Sequence, residues 1–422
     1  MRFVSLPALA GVCVLLLGSA ASAQSGSEPL ALPAALKRAL AQQPELQGFA
    51  FGLRAQVARV GEAGLAPVTT AEVFLEDAGG TGTRSGIDAA QATLSLSHVF
   101  ELGGKRDGRV ASAEAVRSRL QTEQAARQLD VAADVARRFV ETLHERELLR
   151  ISEDGLRVAE QTRAAVARRA QAALAPAAET ARAEVRIAQA KLDAEHAEHE
   201  LESSRRFLAA AMGERDIRFG ETVGDLYAMS GVAPLDDLLN RIETSPDFVL
   251  FADEARVRDA EVRLAELKRR PDVRGQVGVR RYEEGDDVAL VAGFSIPLQS
   301  GRRASYAIDA ARAERSRTDA QREAAFLKVQ AQLLAQYREL EHSQLEARIL
   351  RENIIPQLTN ALEKTEFAYQ RGRYSYLEWT DAQRELIDAR RRLTDVAARF
   401  HILRIEIERL TGQSLEAHGV TP

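Results

Sequence analysis

The chain has 422 residues, of which 45% are hydrophobic, 28% charged and 5% aromatic, and its 57 Lys and Arg residues are opposed by 62 Asp and Glu residues. This composition excludes an intrinsically disordered chain, and the net negative charge argues against nucleic acid as a partner. The scarcity of aromatic residues, Gly and Pro favours long packed helices over one large globular core.

Residues 1–23 have the pattern of a secretory signal peptide. Arg2 precedes a short apolar run, and small residues in cleavage-site order end at Ala23. Lipidation of Cys13, the only cysteine, is the alternative, but Val12 is larger than the residue expected before a lipidated cysteine. We therefore predict an exported mature chain without cysteine, and no later stretch has the roughly 18 consecutive apolar residues of a spanning helix.

Three landmarks recur in the second half of the chain in the same order and at nearly the same spacing. The pairs are Pro44 with Pro246 (246 − 44 = 202), Gly104 with Gly301 (301 − 104 = 197) and Gly213 with Gly412 (412 − 213 = 199). Such self-similarity indicates an internal duplication. We predict repeats at 24–220 and 221–413, each with a helix, a β-hairpin and a long helical hairpin, followed by a tail at 414–422.

Each repeat contains a pair of segments in which apolar and polar residues alternate with the period of a β-strand. The segments are 72–76 with 93–97, and 273–280 with 288–296, and turn-forming residues separate the members of each pair at 79–82 and 283–286. The strands could belong to a small soluble sheet. A tilted strand of a membrane barrel needs about ten residues, and the smallest barrels have eight strands, so four strands could span a membrane only if several subunits contribute.

The remainder of each repeat is strongly helical. No proline occurs between Gly104 and Ala172, and a helix of that length would extend roughly 100 Å. In the last helix, apolar residues recur at steps of three and four positions, and the steps average about 3.4 residues, close to the period of a coiled coil. The apolar positions are Trp379, Ala382, Leu386, Ala389, Leu393, Val396, Phe400, Leu403, Ile407 and Leu410. Positions 199 residues earlier keep the same pattern with smaller side chains.

Two motifs resemble those of the TolC family of outer-membrane efflux channels, and the duplicated order extends the resemblance over nearly the whole mature chain. The first is a strand-to-coil motif of Gly103, Gly104, Lys105 and Arg106, which is most similar to the CzcC-like cobalt, zinc and cadmium efflux branch. The second is the Gly-x-x-Ser-x-Leu turn of Gly372, Ser375 and Leu377, similar to the periplasmic tip of the family's coiled coil.

The resemblance implies a mainly α fold with a small β part. It further implies a homotrimer in which each protomer gives four transmembrane strands to a 12-stranded barrel. Long antiparallel helices of the three protomers would form a coiled-coil barrel across the periplasm. It implies contacts with outer-membrane lipid, a periplasmic adaptor (membrane fusion) protein and an inner-membrane RND pump. The function expected is a passive duct in the outer membrane of a Gram-negative cell for divalent heavy-metal cations. A duct for drugs or secreted proteins, or a periplasmic coiled-coil adaptor or scaffold, are the alternatives.

The tips are the expected adaptor contacts. The second tip offers Gly372, Ser375 and Leu377, whereas the first has Ala173, Pro176 and Ala178 at the corresponding positions. The first tip therefore departs from the family pattern, and we expect it to turn by means of Pro176 instead of a glycine.

Four carboxylates follow the second tip at helical spacing. They are Glu378, Asp381, Glu385 and Asp388, at intervals of three, four and three residues. Such spacing places them on one helical face, which in a trimer would form acidic rings at the periplasmic entrance. An ordinary solvated face, with Arg384 available to Asp388, explains the pattern equally well.

The sequence predicts no enzyme, no cofactor and no dedicated metal site. It lacks a Gly-rich phosphate loop, a Gly-x-Ser-x-Gly motif and a His-Glu-x-x-His motif. His196 and His199 are spaced for metal binding, but their glutamate neighbours make a solvated helical face the better interpretation.

Overall fold

The computed structural model describes residues 28–413, so the predicted signal peptide, the Cys13 alternative and the C-terminal tail lie outside the described residues. This part of the chain is mainly helical and contains one antiparallel sheet. Its elements are α1 (Leu32–Gln42), α2 (Pro44–Ala63), β1 (Thr70–Glu76), β2 (Gln91–Phe100), α3 (Lys105–Gln171), α4 (Ala177–Ala211), α5 (Leu235–Arg241), α6 (Pro246–Leu267), β3 (Val273–Tyr282), β4 (Val288–Ser295), α7 (Ser300–Ile349), α8 (Ile355–Gln370) and α9 (Tyr376–Leu410).

The longest helix, α3, has 67 residues and therefore extends about 100 Å. Its uninterrupted course confirms the helix expected from the proline-free stretch. On the other side of the molecule, α7 continues through a π-helical turn at Leu350–Ile354 into α8. The π-helical turn ends two residues before Pro356, whose missing N–H cannot continue the regular α-helical bonding pattern.

The four strands form one sheet in the order β1-β2-β3-β4, and all neighbours are antiparallel. The two predicted hairpins are therefore present, and they join through β2 and β3. β2 and β3 have the expected ten residues, whereas β1 and β4 have seven and eight. β1 and β4 are the two edges of the sheet.

Helices α2 and α6 pack against the start of α3, next to the sheet, and α7 packs against α6. Helices α4 and α9 also pack against α3, and α8 packs against α9. The largest apolar core lies around Phe139 of α3, Leu208 of α4 and Leu36 of α1. The predicted coiled-coil positions of α9 face inward, as shown by the burial of Trp379 and Phe400. The apolar period of α9 is thus explained by packing against α3 and α7.

Two glycines end the long helices in the same way. Gly213 follows α4 with a φ of +81°, and Gly412 follows α9 with a φ of +67°. A Cβ on Gly213 would lie 3.0 Å from the Cα of Gln43, and one on Gly412 would lie 2.9 Å from Cδ of Pro246. Each long helix therefore ends against the residues that begin the α2 or α6 helix of its own half.

Candidate functional site

The two faces of the sheet differ in polarity, as the alternation in the sequence predicts, and the polar side chains of one face lie mainly on β2 and β3. On the polar face, the Arg280 guanidinium donates to Oγ1 of Thr93 at 2.9 Å and to Oε1 of Gln91 at 3.1 Å, and pairs with Glu76 at 2.9 Å. Gln276 donates to Oγ of Ser95 at 2.8 Å on the same face. These polar side chains therefore find hydrogen-bond partners among themselves, on one face of the sheet.

The opposite face is apolar and uncovered in the single chain. The register aligns Val73, Leu94, Val279 and Leu290 in one row across the four strands. Leu290 is 88% exposed, and further exposed members of this face are Leu75, Leu96, Val277, Val288 and Phe294. An apolar face of this extent is abnormal for a surface in water and requires another apolar medium to cover it.

The strand-to-coil motif forms a fixed junction between the sheet and α3. Gly103 and Gly104 both have positive φ values, +85° and +78°, which reverse the chain between β2 and α3. Nζ of Lys105 lies 2.6 Å from Oδ1 of Asp272, and the same oxygen accepts the N–H of Leu102 at 3.3 Å. Because Asp272 directly precedes β3, this carboxylate connects the two hairpins at the base of the sheet.

The other predicted member of the motif, Arg106, is exposed. The corresponding junction of the second half, between β4 and α7, is built differently from the junction between β2 and α3, although the spacing of the two repeats aligned Gly301 with Gly104. Helix α7 already begins at Ser300, so Gly301 lies inside its first turn and its φ is not positive. The geometry of the double glycine is thus specific to the first junction.

At the far end, the second tip (residues 371–375, between α8 and α9) reverses the chain at Gly372, whose φ is +74°. Ser375 then caps α9. Its Oγ accepts the N–H of Glu378 at 3.3 Å, and the Glu378 carboxylate accepts the N–H of Ser375 at 2.7 Å. The hydrogen bonds from Ser375 lower the pKa of Glu378. Leu377 is 58% exposed beside this capping box.

The first tip (residues 172–176, between α3 and α4) does not reverse the chain at Pro176, as the sequence led us to expect. Ala173, which aligns with Gly372, itself adopts the left-handed conformation with a φ of +57°. Pro176 instead lies at the N-cap of α4 with a φ of −65°. The expectation that Pro176 replaces the glycine was wrong, because a helix reversal needs the left-handed residue at the end of the first helix.

The two tips are joined by side chains that the sequence analysis did not single out. The Arg169 guanidinium donates to the carbonyl of Gln370 at 3.1 Å and to that of Leu174 at 3.2 Å, and it lies 4.6 Å from the ring centre of Tyr369. The Tyr369 hydroxyl donates to Glu179 at 2.9 Å. The end of α3 is thereby bonded to the end of α8, and α8 to α4.

The four carboxylates after the second tip lie in different environments. Glu378 belongs to the capping box, and Asp381 pairs with Arg384 at 2.7 Å. The expected pairing of Arg384 with Asp388 is therefore replaced by a pairing with Asp381. Glu385 and Asp388 are exposed, and neither makes an ion pair within residues 28–413.

A histidine joins α3 to α9 in the middle of the molecule. Nε2 of His144 lies 2.8 Å from Oδ1 of Asp395, and its Nδ1 lies 3.0 Å from Oε1 of Glu145. Burial lowers the pKa of His144, but the two carboxylates more than offset this and raise it to about 9. His144 therefore carries a positive charge at neutral pH.

Within residues 28–413, no three His, Cys, Asp or Glu side chains are placed together to hold a metal ion. His196 and His199 lie on an exposed side of α4. Across the same residues, no helix has the combination of length and apolar character that is needed to cross a membrane.

Comparisons with known proteins agree on one family. The model of the family described as outer membrane efflux protein matches residues 35–214 and 240–413. The cobalt-zinc-cadmium resistance protein CzcC of Cupriavidus metallidurans is 27% identical over 386 residues, which cover 91% of this chain and 90% of that protein.

Solved structures show the same fold at low sequence identity. The structure of CusC, reported with its transmembrane channel formation, superposes with a TM-score of 0.76 at 16% identity, covering 91% of this chain and 92% of CusC. The outer-membrane channel OprN gives a TM-score of 0.75 at 17% identity, covering 91% of this chain and 90% of OprN.

Proposed function

This chain belongs to the outer membrane efflux protein family, whose members are passive channels and not enzymes, and we propose that it is the outer-membrane exit duct of a tripartite efflux system for divalent heavy-metal cations. In this proposal an inner-membrane RND pump supplies the energy and a periplasmic adaptor connects the pump to the duct. The family membership also removes the alternative of a periplasmic adaptor or scaffold.

The two-faced sheet is the observation that carries the proposal. Strands of a transmembrane barrel alternate between apolar residues that face lipid and polar residues that face the lumen. Here the row through Leu94 and Leu290 is exposed and apolar, whereas Thr93 and Arg280 on the opposite face of β2 and β3 are polar and hydrogen-bonded to each other. A soluble sheet would bury its apolar face in the protein core, which is the reverse of this arrangement.

Three copies would close the barrel. The single sheet has two unpaired edges, β1 and β4, and unpaired edges in lipid would leave backbone N–H and C=O groups without partners. Pairing β4 of one protomer with β1 of the next removes every edge, and three protomers give 12 strands. α3, which is about 100 Å long, would then extend from the barrel into the periplasm.

We also infer that the chain arose by duplication, with repeats at 24–220 and 221–413. The family model matches the chain in two segments, 35–214 and 240–413. Each half has the same order of helix, antiparallel strand pair and long helices. Gly213 and Gly412 make equivalent close contacts with the start of α2 and α6, which supports a common origin.

The cargo is inferred from the relative named above. CzcC is named as a cobalt-zinc-cadmium resistance protein, and it matches this chain over nearly its whole length. The second tip, with Gly372 and Ser375, and Leu377 in the first turn of α9 are the proposed adaptor contact. Glu385 and Asp388 are the members of the proposed acidic entrance ring that have no ion-pair partner in the described part of the chain, 28–413.

Deletion of the gene from its host tests the cargo. We expect lower tolerance to cobalt, zinc and cadmium salts, with tolerance restored by the intact chain but not by a chain that lacks β1 and β2. A control panel of dyes and detergents should show unchanged tolerance. Loss of dye and detergent tolerance with normal metal tolerance would show that the duct serves a drug pump and would contradict the metal proposal.

A further inference from the structure

A shallow groove of about 570 Å³ lies on the sheet, at the end where the strands meet the helices. Gly275 of β3 lies at its centre, because the register places this residue between His98 of β2 and Phe294 of β4 and it has no side chain to fill the space. The exposed rings of Phe100 and Phe294 flank it. We call this feature the apolar groove.

Closure of the proposed barrel would leave the apolar groove open. Gly275 belongs to β3, an inner strand, whereas the pairing between protomers involves the edge strands β1 and β4. His98, Gly275 and Phe294 lie on the same face of the sheet as Leu96 and Val277, which is the face assigned to lipid. A depression between two rings on that face makes more dispersion contacts with an acyl chain than a flat surface does.

A second groove, of about 430 Å³, lies at the same end of the sheet, where the strands join the helices. Glu101 in its lining directly follows Phe100, and Pro297 in its lining comes three residues after Phe294. Because an extended residue advances the chain by about 3.3 Å, the two grooves lie within roughly 10 Å of each other. We call the second feature the basic groove.

The basic groove has an excess of positive charge. Both carboxylates of its lining are already paired with cations. The pairs are Asp272 with Lys105 and Glu101 with Arg109. Lys268 and Arg270 also belong to the lining, and both are exposed and make no ion pair within residues 28–413.

More cations surround the basic groove. Oγ of Ser300 donates to the carbonyl of Arg269 at 3.2 Å, so the start of α7 lies against the end of α6. The exposed cations of this junction that have no ion-pair partner in the described part of the chain form a basic collar of Arg106, Lys268, Arg269, Arg270, Arg302 and Arg303. Asp107 is an exposed carboxylate at the same junction, and a single negative charge does not balance the collar.

We propose that the apolar groove and the basic collar together bind an anionic phospholipid. An acyl chain would lie over Gly275 between Phe100 and Phe294, and the phosphate of the headgroup would contact Lys268 and Arg270. The inference rests on the proposed function, because it requires the apolar face of the sheet to lie in the membrane. An acidic partner protein would also be attracted by the collar, but it would leave the apolar groove unfilled.

Quenching of tryptophan fluorescence by brominated phospholipids tests the site in the full-length protein in detergent. Phe294→Trp, carried by every variant, places a reporter beside the apolar groove, whereas Trp379, the only native tryptophan, is buried near the second tip and gives a constant background. Phosphatidylglycerol and phosphatidylcholine with the same brominated chains differ in headgroup charge alone. We expect saturable quenching by both, with phosphatidylglycerol binding about tenfold more tightly.

The double variant Lys268→Gln with Arg270→Gln should lose this preference. Its affinity for phosphatidylglycerol should fall about tenfold, and its affinity for phosphatidylcholine should change by less than about twofold, because only the charged headgroup depends on the two cations. The matched control is Arg182→Gln with Lys364→Gln, which removes the same charges from exposed and unpaired positions of α4 and α8, within residues 28–413, and should keep the preference. Gly275→Leu should fill the apolar groove and weaken both lipids by a similar factor.

Equal binding of the two lipids by the parent protein, or an undiminished preference after loss of Lys268 and Arg270, would overturn the assignment of the headgroup. Unchanged binding by Gly275→Leu would overturn the acyl-chain site; if that variant does not fold, the headgroup comparison still decides the proposal. These results would leave the proposed duct intact. Quenching by neither lipid would instead contradict the proposed function, because the apolar face would then have no contact with lipid.

Discussion

Replacement of Leu290 by arginine tests whether the apolar face of the sheet contacts lipid. Leu290 is 88% exposed and shares a row with Val279, Leu94 and Val73 near the middle of the strands. An arginine on the lipid face of a barrel near the bilayer midplane costs about 2–4 kcal/mol. In water, the same substitution at an exposed site would change the free energy of unfolding by no more than about 0.5 kcal/mol.

Val291→Arg is the matched control, because Val291 is the next residue of β4 and lies on the opposite face, in register with Gly278. We expect the free energy of unfolding, measured by urea titration in lipid vesicles, to fall by about 2–4 kcal/mol per protomer for Leu290→Arg and by less than about 1 kcal/mol for Val291→Arg. Equal and small effects of the two substitutions would refute the assignment of the faces.

Three further predictions follow from the junction, the core and the proposed entrance. Gly103→Ala should destabilise the protein by about 1–2 kcal/mol in thermal unfolding, because its φ is +85° and a Cβ would meet the side chain of Arg270. Gly301→Ala, in a helix, should instead stabilise the protein by up to about 1 kcal/mol. The pKa of His144 is raised from 6.5 to about 9, so its stabilising effect is present in full below about pH 6.5 and is lost as the pH rises through 9. His144→Gln should therefore lower the free energy of unfolding, measured by denaturant titration, by at most about 3 kcal/mol at pH 6 and by little at pH 10. The double variant Glu385→Gln with Asp388→Asn should lower cation selectivity in planar bilayers, and an unchanged selectivity would remove the acidic ring.

The regular parts of the fold could be predicted from the sequence because each has a period fixed by its own backbone. Alternation at 93–97 gave the correct faces of β2, and the steps of three and four residues gave the buried side of α9. The long α3 followed from the absence of proline. Its neighbours could not be predicted in this way, because packing depends on residues that are distant in the sequence.

The contacts at the two junctions show this limit. Lys105 was singled out, but its partner Asp272 is 167 residues away and belongs to no local pattern. Arg169 was missed for the same reason, since it contacts the end of α8, 201 residues later. Glu378 is different: Ser375 three residues earlier is the spacing of a capping box, so its role was available from the sequence.

The central claim is that three copies of this sheet close one barrel through β1 and β4. It is tested most directly by a short bifunctional thiol cross-linker applied to a series of variants in a Cys13→Ser background, each with one cysteine at Val73 of β1 and a second at Val288, Leu290 or Phe294 of β4, so that different registers between protomers are sampled. We predict covalent products on a denaturing gel that end at three chains, and none when either engineered cysteine is absent. Products that end at two chains, extend beyond three, or fail to form from protein in lipid would contradict the account.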